Sequence, residues 1–382
     1  MWKTFFMAMA LLLVADDVSE TPADDPDLVV QGAAQTRDDR VVPLEGLDPV
    51  LLTQGKEVQG DEQFAVARGR FRYLFAGAET KAAFEREPAR YEIQLGGTCA
   101  RMGPTVQGNP DLYYVHQGRI YIFGSPACAK TFKEAPGKYL EADTAAATPA
   151  TDDALRRGRA LVEKAVEAAG GASKVDGLVS YQEKGSVGAH TQQGVTEIKT
   201  ALFMVYPDRV RQERTLPFGT VATVLAPAGN FFAAPRSTGD IIEEQRAALQ
   251  KQFMLNPLAI LRARREAGFK AAAVGASKVG EASVEAVDVS FGGVRARLGI
   301  DPATGRVVTL SYRGRGDTGA FGEIVQTFSD FRTVGGLTLP FKTVGTFDGE
   351  PAPAQTSTVE SIVVNAEIAS ALFERPKPAG GQ

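Results

Sequence analysis

From Val279 to Pro340 the chain alternates apolar and polar side chains, run after run, and this limits its fold more than any other feature. The runs are VEAVDVSF, ARLGID, GRVVTLSYR, EIVQTFSDF and GLTLPFKTVGTF. Val287, Val289 and Phe291 share one face of their strand, Leu298 and Ile300 one face of the next, and Val308, Leu310 and Tyr312 one face of a third. A period of two is what a sheet with one packed and one wetter face requires. Asp301-Pro302-Ala303-Thr304-Gly305 and Val334-Gly335-Gly336 supply the dihedrals of tight reversals. The expectation is a meander of antiparallel strands that extends through most of the C-terminal half.

A chain of 382 residues is expected to form two or three domains rather than one. Its 44% hydrophobic and 23% charged residues allow real cores. A net charge of −4 with no basic stripe argues against a nucleic-acid partner. The one long apolar run, TFFMAMALLLVA behind Lys3, fits a signal peptide at residues 1–15 and is short for a membrane span; a buried N-terminal helix is the alternative. Residues 16–40, rich in Asp, Pro, Ala and Gln, read as a disordered acidic tail. The mature chain is expected in the periplasm or secreted, without an integral membrane span.

Residues 41–141 repeat themselves. Tyr73-Leu74-Phe75, Phe84, Pro88 and Tyr91 recur 48 residues later as Tyr121-Ile122-Phe123, Phe132, Pro136 and Tyr139. Each copy reads as a short strand, a turn and a short helix that stops near its proline. This region resembles the YHS domain in LEGLDPV (44–50), YLFAG (73–77), Phe84, Pro88, Tyr91 and GGTCA (96–100). Its second copy resembles the metal-associated TRASH domains, with Gly124 standing where those relatives place a third cysteine. Cys99 and Cys128 are the only cysteines, and in an oxidising compartment such a pair is most simply a disulfide. Two free thiols, or a soft metal held by Cys99, Cys128, Met102 and His116, are the alternatives. No cofactor is expected.

Residues 142–152 read as a linker, and 153–376 as the second domain, with 377–382 a tail. Asp152 or Asp153 is placed to cap a helix through LRRGRALVEKAVEAA, closed by Gly170-Gly171. Strands follow at 178–187, 195–206 and 209–216, then in TVATVLAP and NFFAAP. In the second of these Ile198, Leu202, Met204 and Tyr206 share a face, with Ala201, Phe203 and Val205 opposite. A strand apolar on both faces is either covered twice or lines a cavity. Asp240 with Glu243 suggests a helix start, and Asn256-Pro257 starts a second helix closed by Gly268. Two helices interrupting a meander are expected across its open face. Arg209, Arg211 and Arg214 read as a solvated face.

Residues 156–376 resemble the LolA-type family of periplasmic lipoprotein carriers in YPDRVRQE (206–213), DPATGRV (301–307), SDFRTVGGLTLPF (329–341) and VVNAEIASALFERP (363–376). The resemblance implies an α+β protein whose second domain is a curved, unclosed antiparallel half-barrel covered by helices. It also implies a cavity for acyl chains or another apolar ligand. The residues expected to line it are Met204, Tyr206, Phe232, Phe253, Met254, Leu258 and Leu261.

Chemistry of other kinds is absent: HExxH, GxSxG and paired CxxC do not occur. GRGDTG at 314–319 matches GxGxxG, but another alternating strand follows it, so it reads as a hairpin loop. His190 is expected in an exposed Gly/Gln loop. The expected protein is a non-enzymatic carrier of a lipid, a lipidated protein or another hydrophobic molecule. Metal handling through the first domain and an envelope scaffold without a small ligand are the alternatives.

Overall fold

The computed structural model describes residues 40–140, 150–191, 194–280 and 282–376. The expected signal peptide, the acidic tail up to residue 39, residues 142–149 of the linker and the tail 377–382 lie outside the described residues.

The first unit opens on α1 (Pro49–Leu52), capped by the buried carboxylate of Asp48. One Asp48 oxygen accepts from the Val50 and Leu51 amides, and the other accepts from the Ala76 amide at 2.8 Å, tying this turn to the strand that ends beside it. Strands β1 (Asp61–Arg68) and β2 (Phe71–Phe75) form an antiparallel pair, followed by α2 (Ala78–Arg86) and α3 (Pro88–Tyr91). Then β3 (Thr98–Cys99), β4 (Gly103–Gln107), β5 (Asn109–His116) and β6 (Arg119–Phe123) make a second sheet in the order β4-β3-β6-β5. The helix α4 (Pro126–Glu134) and a 3-10 turn at Pro136–Lys138 complete the unit.

The sequence repeat is therefore a repeat of element order: β2, α2, α3 in one copy and β6, α4 and the 3-10 turn in the other. The packing repeats as well. Phe84 meets Tyr73 and Phe75 with ring centroids 5.0 and 5.1 Å apart, and Phe132 meets Tyr121 and Phe123 at 5.5 and 5.1 Å. Both phenylalanines are buried, so each is the apolar peg that holds a helix on its strand.

The second unit begins with α5 (Asp152–Ala168), whose cap is Thr151 rather than either aspartate; its hydroxyl accepts from the Ala154 amide. The buried stripe contains Gly158, which the hydrophobic pattern does not pick out. A Cβ there would lie 2.5 Å from the Ala271 carbonyl oxygen, so the missing side chain lets the helix press onto a strand backbone. After α6 (Ala172–Asp176) the chain forms a first meander: β7 (Ser180–Thr191), β8 (Gly194–Val205), β9 (Arg209–Leu216), β10 (Gly219–Leu225), β11 (Phe231–Ala234) and β12 (Ser237–Asp240). Asp240 thus ends a strand instead of opening a helix. The helix α7 (Glu243–Met254) starts three residues later, where the Gln245 side chain accepts from the Ile242 amide. Asn256 caps α8 (Pro257–Ala263) as expected, accepting from the Ala259 amide at 2.9 Å.

The second meander opens on β13 (Lys270–Val279), which the five alternating runs do not include, and continues through the expected β14 (Ala282–Phe291), β15 (Val294–Ile300), β16 (Val307–Arg315), β17 (Phe321–Val334) and β18 (Leu337–Phe347), each antiparallel to the next. A short β19 (Glu350–Pro351) folds back on β18, and β20 (Ser357–Val364) follows. The sheet order is β12-β11-β10-β9-β8-β7-β20-β18-β17-β16-β15-β14-β13, so β20 lies between the two meanders and joins them. The result is an α+β protein with one large unclosed antiparallel sheet.

GRGDTG is the hairpin loop between β16 and β17, and it also docks the first unit. Arg315 donates to the Arg101 and Tyr139 carbonyls at 3.2 and 3.0 Å, and Ala320 packs with the cluster around Phe132. Gly319 has φ +84°, and a Cβ on it would meet the Arg101 carbonyl oxygen at 2.2 Å, so only glycine fits.

Phe84→Ala and Phe132→Ala are each expected to cost about 3–5 kcal/mol in urea unfolding, the range for an emptied aromatic core site. A cost under about 1 kcal/mol at either position means that the two copies are not held by the same peg.

Candidate functional site

One face of the large sheet, between the β7–β8 and β17–β18 strands, carries a cavity of about 230 Å³. One water needs only about 10–15 Å³ on such a measure, so the space accommodates a molecule and not just solvent. Its position follows from strand register. On β7 and β8 Tyr181 is opposite Met204 and Glu183 opposite Leu202, and all four face the cavity. Phe328 and Phe331 contribute from β17, where Asp330 between them takes φ 52° and breaks the alternation that would have placed them on opposite faces. Leu255, Leu258 and Leu261 close the space from the α7–α8 corner.

The other face of β8 is covered too. Phe203 and Val205 pack with Val224, Phe231 and Phe373, the last from a 3-10 turn at Ser370–Phe373. A strand apolar on both faces is here both covered and cavity-lining. Two of the three arginines expected to be solvated hold this C-terminal turn instead. Arg211 donates to the Leu372 carbonyl at 2.9 Å, and Arg209 lies over the Phe373 ring at 5.6 Å. Their parity on β9 places them on that side, and the turn they meet is too far away in sequence to be read from that strand.

The cover is fastened by α8. Arg262 donates to the Val175 carbonyl at 2.7 Å while its guanidinium lies 4.0 Å over the Tyr206 ring. The buried Arg264 forms two hydrogen bonds to Asp176, at 2.6 and 3.0 Å, which join α8 to α6. Those bonds pull the Asp176 carboxyl below its ordinary pKa, and Arg265 and Arg262 add to the same effect.

Of the seven residues expected to line the cavity, Met204, Tyr206, Leu258 and Leu261 do so. Met254 packs against the same core without reaching the cavity wall. Phe232 sits on β11, three strands from β8 in the sheet order, and it and Phe253 of α7 join a separate cluster with Leu225, Ile241 and Leu249. The chemically distinctive wall residues were not anticipated. Glu183 is, among the described residues, the only acid lining the cavity, and the Tyr181 hydroxyl donates to it. The signal was present: an acid at the same strand parity as Tyr181, opposite an apolar partner strand. Burial pushes the Glu183 carboxyl up, partly offset by the tyrosine hydroxyl, and burial likewise raises Tyr181 and Tyr206.

In the first unit Cys99 and Cys128 are buried, with their sulfurs within hydrogen-bonding reach of each other. The contact with Cys99 holds the Cys128 thiol down, helped by Ser125 and Arg101, while Cys99 is pushed up. The Met102 amide reaches Cys99 Sγ at 3.5 Å, and Arg101 lies 3.8 Å from Cys128 Sγ. His116 is half-buried and stacks on Tyr114 with its edge toward Phe132, so it belongs to the aromatic cluster. Among the described residues no three His, Cys, Asp or Glu side chains converge as metal ligands. His190 is exposed at the end of β7, 3.9 Å from Asp317.

No protein-family model matches the chain, and a search of curated proteins finds no match. Among solved structures, a LolA superfamily protein from Nitrosomonas europaea is similar at 10% identity, over 57% of this chain and 97% of that one, with a TM-score of 0.41. A DUF1329 family protein from Desulfovibrio piger is similar at 11% identity, over 58% and 97%, with a TM-score of 0.40. No described helix is long and apolar enough to cross a membrane.

The Arg264–Asp176 pair gives a pH dependence. Because the folded Asp176 pKa is depressed, its contribution is complete above the unfolded value of about 4 and is lost as pH falls through the lower folded value. Thermal unfolding of Asp176→Asn should therefore show lower stability than the parent at neutral pH, with the gap narrowing below about pH 4. A gap unchanged by acid means that the pair does not fasten the cover.

Proposed function

We propose that this protein is a non-enzymatic binder of a hydrophobic molecule, a lipid or the acyl chain of a lipidated partner, which enters this cavity of the half-barrel. One observation carries the reading: a cavity of about 230 Å³ walled by Met204, Tyr206, Leu258, Leu261, Phe328 and Phe331. Apolar walls favour an alkyl chain by roughly 0.8 kcal/mol for each buried CH₂. The cover is an edge-fastened set of short helices, which suits a space that must admit a chain. An exported protein of the periplasm, with a signal peptide at 1–15, fits a carrier of this kind.

Met204→Trp should fill the cavity and weaken binding of a fluorescent fatty-acyl probe at least tenfold, about 1.4 kcal/mol, while leaving the unfolding midpoint within a few degrees. Unchanged binding, or loss of the fold with no folded cavity-filled variant at Leu202 either, returns these residues to the core.

The two thiols support a second, independent reading for the first unit. Cys99 and Cys128 sit side by side beside Arg101 and Met102, an arrangement that suits closure to a disulfide in an oxidising compartment. Protein isolated from that compartment and denatured without reductant is expected to show no titratable thiol, and two after reduction. Two thiols before reduction, with a copper or zinc ion recovered in stoichiometric amount, support metal handling instead.

A further inference from the structure

The acid in the cavity wall does not follow from a site for alkyl chains alone. Glu183 is on β7, where its partners on the two adjacent strands are apolar, Leu202 on β8 and Ile362 on β20, and the wall it shares carries Val359 and Phe328 beside the uncharged polar Gln326, Thr343 and Ser357. Its one side-chain partner among the described residues is the Tyr181 hydroxyl, which donates to Oε2 and leaves Oε1 without a protein donor. A carboxyl group accepts several hydrogen bonds, and an apolar enclosure makes each unfilled one costly. The nearest wall cation offers no substitute. Arg306 is exposed and lies 5.2 Å over the Phe331 ring at the rim. Gln326, also in the wall, already donates to Gln355 at 3.3 Å.

We infer that the cavity selects an apolar chain that carries a hydrogen-bond donor, a primary amine or a hydroxyl, which Glu183 accepts through Oε1. The inference rests on the proposed function, since it specifies what the same cavity holds. Tyr181 positions the carboxyl by holding the other oxygen, so the free one faces the chain. A fatty-acid anion is disfavoured at the same point, because it brings a second acceptor and a like charge to an enclosed carboxyl.

The test uses four C12 probes on the full chain, measured by calorimetry at neutral pH: dodecylamine, dodecanol, dodecyltrimethylammonium and laurate. The expected order places dodecylamine and dodecanol ahead of laurate by about tenfold or more. Dodecylamine should also exceed dodecyltrimethylammonium, which has the charge but no N–H. Glu183→Gln should bring dodecylamine and laurate to within about threefold of each other while dodecanol still binds, the latter showing that the variant is folded around an intact cavity. Should Glu183→Gln not fold, the amine and trimethylammonium comparison on the parent decides alone. Equal binding of all four probes by the parent overturns the donor inference and leaves the cavity reading standing. Binding of none overturns the cavity reading itself, and this inference with it.

Discussion

The backbone hydrogen bonds of β20 hold the large sheet together as one sheet. Without them the second unit is two separate meanders, β7–β12 and β13–β18, each with an open edge in its middle. β20 pairs with β7 along nearly its whole length, from Ser357 opposite Val187 to Val364 opposite Tyr181. On its other side it pairs with β18 at only two positions, Lys342 with Thr358 and Thr343 with Ser357. The cavity lies beside that short contact: its walls come from β7–β8 on one side of β20 and β17–β18 on the other, and Ser357 and Val359 of β20 line it between them.

The polar chemistry follows from the same geometry. Strand β8 carries apolar residues on both faces because one side meets the cavity and the other meets the C-terminal turn. Its neighbour β7 has the same two demands but places Glu183 on the cavity side. A buried acid is tolerated where one oxygen is bonded by Tyr181 and the other reaches an open space. In a filled core the same residue would be a defect.

Local pattern made much of this legible. The alternation from Val279 onward predicts the second meander from β14 on because every one of those strands pairs with the next, and turns such as Asp301–Gly305 lie between them. Asn256-Pro257 predicts α8 because cap and first-turn proline act within four residues. The repeated Phe84 and Phe132 foretell a repeated packing because each meets residues of its own copy. What failed was decided at long range. Asp240 has the chemistry of a helix cap, but pairing of its residue with Phe231 keeps it in a strand. Phe232 on β11 and Phe253 on α7 pack there in a cluster of their own with Ile241. Phe331 was hidden by the left-handed backbone at Asp330, and Glu183 by the habit of seeking apolar residues in an apolar site.

The place of β20 also sets an order in time. Tyr181 and Val364 are paired neighbours in space, yet every residue of both meanders separates them along the chain. During synthesis the first unit can pack its two phenylalanine pegs early, since their contacts are local. The first meander, by contrast, must wait with β7 exposed until residue 364 has been made. An exposed β7 is an unpaired edge, the kind of strand another chain can pair with, and it already carries Tyr181 and Glu183. Glu183 and Lys184 put charged side chains on both of its faces, a pattern that discourages such pairing.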